Sequence, residues 1–104
     1  MEIINDTILW HDASTISFQA IGGGFVTNLE SDSKVLSVNG FKLAGLCFFV
    51  VGEAEVCVVS DGRVIQTFAI QTTAVLSSVA YTHTPHATLI VLTPEHILKL
   101  TFNT

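Results

Sequence analysis

The residues best suited to chemistry include two histidines three positions apart, in the stretch His83-Thr84-Pro85-His86. A Thr-Pro pair is typical of a turn, so we expect both rings to lie in a loop and to be able to point outward together. A metal site in a protein needs three or four converging ligands, and no cysteine or carboxylate lies near this pair in the sequence. His83 and His86 are the candidates for metal ligation, but they do not complete a site, and we predict no metal and no other cofactor.

The acidic residues Glu53 and Glu55 are the second group that could do chemistry. Two residues apart on a strand, their side chains would share one face, and paired carboxylates can carry acid–base catalysis. Here they lie at the tip of a predicted hairpin, where a solvated turn is the better explanation of both residues. The chain has no G-x-S-x-G motif, and Gly22-Gly23-Gly24 lacks the Lys-Ser/Thr of a phosphate-binding loop. We therefore predict no catalytic residues and no enzymatic activity.

The charge pattern excludes one class of function. The chain has 104 residues, a net charge of −5 and four Lys and Arg residues in total. Binding to nucleic-acid phosphates requires a track of cations, so we predict no nucleic-acid partner. The longest apolar stretch, Leu43–Val51, is about half of the roughly 20 residues that a membrane-spanning helix needs. The acidic start MEIIND argues against a signal peptide, and we expect a cytoplasmic protein or part of an assembled virion.

The composition favours a protein that is covered in part by another copy or by a partner. Hydrophobic residues make up 49% of the chain and charged residues 12%, whereas soluble domains carry about a quarter charged residues. Such a chain has too few charges to cover its own surface in the usual way. An apolar excess of this kind usually ends at an interface, so we predict a homo-oligomer or a complex with a protein partner.

The chain alternates between β-favouring runs and turn signals, and no stretch sustains helical spacing. The predicted strands are Thr7–Trp10, Thr15–Ala20, Val35–Val38, Leu46–Val51, Ala54–Val59, Val64–Ile70, Ala74–Ala80, Thr88–Leu92 and His96–Phe102. Turns are predicted at 22–24, 31–33, 39–40, 61–62, 84–85 and 93–94. This pattern predicts one all-β domain over residues 1–104, a small sandwich or jelly-roll-like barrel of about eight or nine short strands.

The central hairpin has two apolar faces. If Gly52-Glu53 is a two-residue turn, one face carries a continuous apolar set. Its members are Cys47, Phe49, Val51, Ala54, Val56 and Val58. The opposite face carries Phe48, Val50, Cys57 and Val59. A small sheet that is buried on both faces needs a second layer of its own chain or a neighbouring subunit. We predict that the first face is core and that Phe48, Val50 and Val59 contact a partner.

The same register places Cys47 and Cys57 on opposite faces of the hairpin. We therefore predict two free thiols that behave as small buried hydrophobes. Cysteines of this kind are typical of a reducing compartment.

Part of the chain resembles the second half of a cupin barrel. The resemblance lies in Phe49–Glu55 into Val56–Ile70, followed by Ala74–His83 and Thr88–Pro94. The matching features are a V-x-G-E-x-x-V hairpin, the turn Asp61-Gly62-Arg63 and the late His83. The resemblance covers about half of the chain and implies a jelly-roll barrel that binds a small molecule, such as a sugar derivative, in its mouth. The paired metal histidines of that family would fall in residues 38–45, which contain none, so only His83 carries over.

Four segments look like successive blade strands and resemble WD40-like blades: Asp61–Phe68, Ala74–Tyr81, Leu89–Thr93 and Ile97–Leu100. Phe48–Val51 and Leu89–Leu92 are similar runs, and an echo with a period of about 40 residues is typical of propeller blades. The Gly-His and Trp-Asp signatures of that family are missing. This resemblance implies a propeller-like scaffold fragment that a partner completes.

We therefore expect a non-enzymatic assembly or binding module, such as a small oligomeric structural component of the virion type. The alternative hypotheses are the cupin-like barrel that binds a small molecule and the propeller-like scaffold fragment that a partner completes. A deep pocket that contains His83 would favour the cupin-like barrel, and an exposed apolar sheet would favour assembly.

Overall fold

The computed structural model describes residues 1–4, 6–43 and 45–103, which form eleven strands in three antiparallel sheets. The N-terminal sheet contains β1 (Glu2–Ile4), β2 (Thr7–His11), β3 (Thr15–Ala20) and β4 (Thr27–Glu30). The central sheet contains β5 (Ser37–Lys42), β6 (Leu46–Val51), β7 (Glu55–Ser60) and β8 (Arg63–Ala69). The C-terminal sheet contains β9 (Ser77–His83), β10 (His86–Leu92) and β11 (Ile97–Asn103). The predicted all-β, sandwich-like fold is confirmed. No helix that could cross a bilayer occurs among these residues.

Each sheet is a meander in which strands that follow one another in the chain are hydrogen-bonded neighbours. Two of the predicted turns have the expected chemistry. Asp61 and Gly62 both adopt positive φ, at 53° and 74°, which is the conformation that two-residue hairpin turns prefer. Thr84-Pro85 joins β9 to β10, so that His83 pairs directly with His86.

The central sheet lies between the other two and is covered on both faces. Its first face packs against the C-terminal sheet. This first core cluster contains Phe41, Cys47, Phe49, Val51, Val56, Val58, Ala87, Leu89, Val91 and Phe102. Its second face packs against the N-terminal sheet. This second core cluster contains Leu9, Ile16, Val35, Phe48 and Val59.

The register of the β6–β7 hairpin differs from the predicted one by two residues. Val51 pairs with Val56 rather than with Ala54, and Phe49 pairs with Val58. The prediction of a two-residue turn at Gly52-Glu53 was therefore wrong. The amide of Gly52 donates a hydrogen bond to the carbonyl oxygen of Glu55 at 2.9 Å, and the loop is longer than two residues. Because side chains alternate with a period of two, a shift of two residues leaves each side chain on its predicted face.

The predicted turn at Asn39-Gly40 is also wrong, because both residues lie inside strand β5. A Cβ on Gly40 would lie 3.1 Å from the Ile4 side chain and 3.2 Å from the Leu9 side chain, so the N-terminal sheet needs a glycine here to approach. The side-chain oxygen of Asn39 accepts a hydrogen bond from the Ser78 hydroxyl at 2.7 Å. The Asn-Gly pair thus joins the central sheet to both neighbouring sheets.

Three strand assignments need further correction. Strands β1 and β4 were not predicted; they have three and four residues and little apolar alternation. Strand β9 begins at Ser77 rather than at Ala74. The segment before it is tied down as a connection, since the Thr72 amide donates to the Glu53 carbonyl oxygen at 2.9 Å.

Candidate functional site

The face that we expected to contact a partner is covered by the chain itself. Phe48 and Val59 are 3% and 7% exposed and lie beneath the N-terminal sheet. The Phe48 ring packs against Phe18 with the ring centroids 5.2 Å apart. The prediction that Phe48 and Val59 contact a partner is therefore corrected. The N-terminal sheet packs over these two side chains in the place where a second subunit was expected. Val50 is half-buried and lines a cleft on the same side.

An uncovered apolar surface lies on the side of the C-terminal sheet that points away from the core. Strand pairing aligns Val79 with Ile90, and Leu92 with Ile97, so these side chains share the face that points away from the core. Ile97 is 69% exposed, Val79 54% and Leu92 42%. We call this surface, together with Tyr81 on the same strand as Val79, the outer face. Among the described residues, none packs over it from another sheet.

Charge is distributed unevenly between this surface and the rest of the chain. Beyond Arg63, the sequence contains one acidic residue, Glu95, and one basic residue, Lys99. The other eight acidic residues lie at or before Asp61. The outer face therefore carries no carboxylate and one cation, Lys99, which pairs with Ile90, in a protein that is otherwise acidic.

The two candidate metal ligands lie at the corner of the outer face. His83 and His86 end β9 and begin β10, rather than lying in a loop, and their ring centroids are 5.7 Å apart. His83 Nε2 is 2.7 Å from the hydroxyl of Thr88, which is 1% exposed. The Nδ1 atom of His86 is buried and has no hydrogen-bond partner. Within the described part of the chain, no three His, Cys, Asp or Glu side chains converge on a point that could hold a metal ion.

A cleft of about 170 Å³ opens between the N-terminal and central sheets. Its lining includes side chains from β3, β4, β6, β7 and β8 and from the loop before β5. These residues are Ile16, Leu29, Glu30, Ser31, Asp32, Ser33, Lys34, Val50, Gly52, Glu55, Cys57, Val59, Gly62 and Val64. Neither this cleft nor a smaller one of about 100 Å³ beside Trp10 is lined by His83. The feature that would favour a cupin-like mouth is therefore not found in either cleft.

The Cys57 thiol lies in the wall of this cleft. Burial raises its pKa, and the nearby Glu55 carboxylate, 3.7 Å from the sulfur, acts in the same direction. A contact with the Thr67 hydroxyl at 3.9 Å opposes the rise. Cys47 lies in the first core cluster, on the opposite face, and both thiols are free, in agreement with the prediction. A neutral thiol of this kind is a poor nucleophile, so it adds apolar surface to the cleft rather than reactivity.

The predicted carboxylate pair is divided between two environments. Glu55 lines the cleft, whereas Glu53 does not, and its backbone carbonyl accepts the hydrogen bond from Thr72. The arrangement does not bring the pair together over a shared pocket.

Sequence reasoning missed the outer face as a candidate site. The sequence did contain a signal. The run Thr88–Leu92 places apolar side chains on both faces of a strand, and the chain after Arg63 contains only two charged residues.

In comparisons with known proteins, no family model, no curated protein and no solved structure matched this chain.

Proposed function

We propose that this chain is a non-enzymatic assembly module that associates with a second copy of itself through the outer face of the C-terminal sheet. The observation that carries the proposal is the exposure of Val79, Leu92 and Ile97 on one uncovered sheet face. Fully burying side chains of this size is worth roughly 1.5–3 kcal/mol each. An oligomeric structural component, including the virion type, is the class of protein that such a module fits.

A second copy is the occupant favoured by charge. Most of the surface of a protein with a net charge of −5 repels another copy. The outer face carries Lys99 and no carboxylate, so two outer faces can meet without opposing acidic groups. In a two-fold pair the same patch contacts itself, and a patch whose single charge is Lys99 repels its own copy less than a surface with several carboxylates does.

The size of the face sets the expected strength. Three strands about 4.8 Å apart and seven residues long give a sheet of roughly 14 by 23 Å. This is smaller than the roughly 800 Å² per partner that stable complexes bury. We therefore expect association that depends on concentration within the micromolar range, unless further copies add contacts.

Sedimentation velocity across a wide concentration range tests the proposal. The wild type should form larger species as concentration rises, and Ile97→Asp should remain monomeric with unchanged circular dichroism. Ile3→Asp is the matched control, since Ile3 is 61% exposed on the N-terminal sheet and receives the same new charge. A wild type that stays monomeric at the highest concentration, or equal effects of the two variants, would overturn the proposal.

A further inference from the structure

The cleft between the N-terminal and central sheets combines an apolar floor with an acidic rim. The floor is aliphatic. Its side chains are Ile16, Leu29, Val50 and Val59, together with the neutral thiol of Cys57, and the exposed Val64 also lines the cleft. The described residues that line the cleft include no aromatic ring and no side-chain amide. Such a floor accepts a short aliphatic chain and offers no stacking partner to an aromatic one.

The rim carries three carboxylates, on Glu30, Asp32 and Glu55, against one ammonium group, on Lys34. Among the described residues, none of the three carboxylates takes part in a salt bridge. Within the described part of the chain, Glu30 and Glu55 each make one side-chain hydrogen bond, and both are long: 3.4 Å to the Thr15 hydroxyl and 3.7 Å to the Cys57 sulfur. The rim therefore has a net negative charge and acceptor oxygens that internal partners leave largely unused.

We propose that this cleft binds a small free aliphatic amine, with the alkyl chain on the floor and the ammonium group among the rim carboxylates. Charge complementarity selects the ammonium group, and the aliphatic floor selects the alkyl chain. A volume of about 170 Å³ is below the roughly 300 Å³ at which pockets hold drug-sized ligands, so the ligand is short. The cleft opens on the side of the central sheet opposite to the C-terminal sheet, so this site does not depend on the proposed self-association.

Titration of the labelled protein, followed by amide chemical shifts, tests this site with n-hexylamine, hexanoate and hexanol as probes. We expect n-hexylamine to bind with a Kd on the order of 1 mM and hexanoate to bind about tenfold more weakly. The shifts should be largest at the residues that line the cleft. Equal binding of hexylamine and hexanol would overturn the proposal, because the rim would then contribute nothing.

A matched pair of double variants separates the cleft from the overall charge of the protein. Glu30→Gln with Glu55→Gln removes two rim carboxylates and should weaken hexylamine about fivefold. Glu53→Gln with Glu95→Gln removes the same charge outside the cleft and should leave the Kd within about twofold. Equal weakening by both pairs would overturn the proposal. Tighter binding of an Nα-acetyl-lysine amide than of hexylamine would overturn the assignment to a free amine and make a polypeptide lysine the ligand.

Discussion

The central and C-terminal sheets are both apolar on two faces. Among the described residues, strands β6 and β7 of the central sheet are covered on both faces, whereas the C-terminal sheet is covered on one. Phe49 and Phe48, adjacent on β6, are 0% and 3% exposed because a different sheet covers each side. On β10 and β11, Leu89 is fully buried whereas Ile97 is 69% exposed. The two sheets have similar strand lengths and similar residue types. They differ in their position along the chain: the central sheet has a neighbouring sheet on either side in sequence, and the C-terminal sheet has one.

This difference separates two questions that an apolar face raises. The residue types of a strand determine that its face is unfavourable in water. Which element covers that face depends on how many layers the chain can build, and no local pattern encodes this. In this protein the chain on either side of the central sheet buries its two apolar faces, whereas none of the described residues from another sheet packs over the outer face.

The largest effect that would test this comparison is expected for Phe48→Asp. The substitution places an unpaired carboxylate beneath the N-terminal sheet, in a site that is 3% exposed. A buried charge without a partner costs several kcal/mol, at least about 4 here, so the variant should unfold. Far-UV circular dichroism and amide dispersion in NMR spectra measure this, with Phe25→Asp, at a site 95% exposed, as the control. A folded Phe48→Asp variant of smaller mass would instead make this face an interface between subunits.

A smaller loss of stability is expected for Phe49→Ala on the other face of the central sheet. Phe49 is fully buried, and its ring lies 4.6 Å from that of Phe41, centroid to centroid. Truncation leaves a cavity in the first core cluster, and the free energy of unfolding should fall by roughly 3–5 kcal/mol. Val79→Ala on the outer face should change it by less than about 0.5 kcal/mol. Chemical denaturation compares the two, and similar losses would mean that the outer face is already buried in the monomer.

The smallest effect concerns the thiols and the alkaline limit of stability. The raised pKa of Cys57 means that the folded state holds this proton to higher pH than the unfolded state, whose thiol titrates near its usual value of 9.0. Above pH 9.0 the unfolded state therefore binds fewer protons than the folded state. The free energy of unfolding should then fall slightly as the pH rises through this value, and this thiol should not change it at neutral pH.

Two measurements check this assignment. Alkylation at mildly alkaline pH should be slow at Cys57, slower at Cys47 and fast at both in denaturant. In Cys57→Ala, the loss of stability at alkaline pH should be smaller than in the wild type. Rapid alkylation of Cys57 in the folded protein would show that its thiol is neither buried nor neutral.

Much of the fold follows from sequence pattern, and the errors have identifiable causes. The faces of β6 and β7 were predicted correctly although the turn was not, because a two-residue shift preserves the alternation of side chains. Strands β1 and β4 were missed because pairing to a neighbour, rather than an apolar pattern of their own, holds them in the sheet. Asn39-Gly40 was read as a turn because the close approach of Ile4 and Leu9 cannot be seen locally.

The candidate sites were less accessible to sequence reasoning than the fold. The cleft brings together residues from Ile16 to Val64 that lie on separate sheets, and no spacing rule links them. The outer face was hidden for a different reason. Both faces of β10 are apolar, and the sequence does not say which one the rest of the chain covers.

The meander order of the strands has a consequence for how the protein is made. Each sheet is a single continuous stretch of chain, 2–30, 37–69 and 77–103, and every ladder joins consecutive strands. Hairpins of this kind can form within about 1–10 μs, so the slow events should be the two dockings of one sheet on another. During synthesis, the N-terminal sheet emerges from the ribosome with Leu9 and Ile16 exposed to water. Because translation adds roughly 5–20 residues per second, β5–β8 follow only after seconds. We therefore expect the ribosome-bound chain to be most prone to aggregate before β5–β8 have emerged, so a chaperone that binds before that point should matter more than one that binds later.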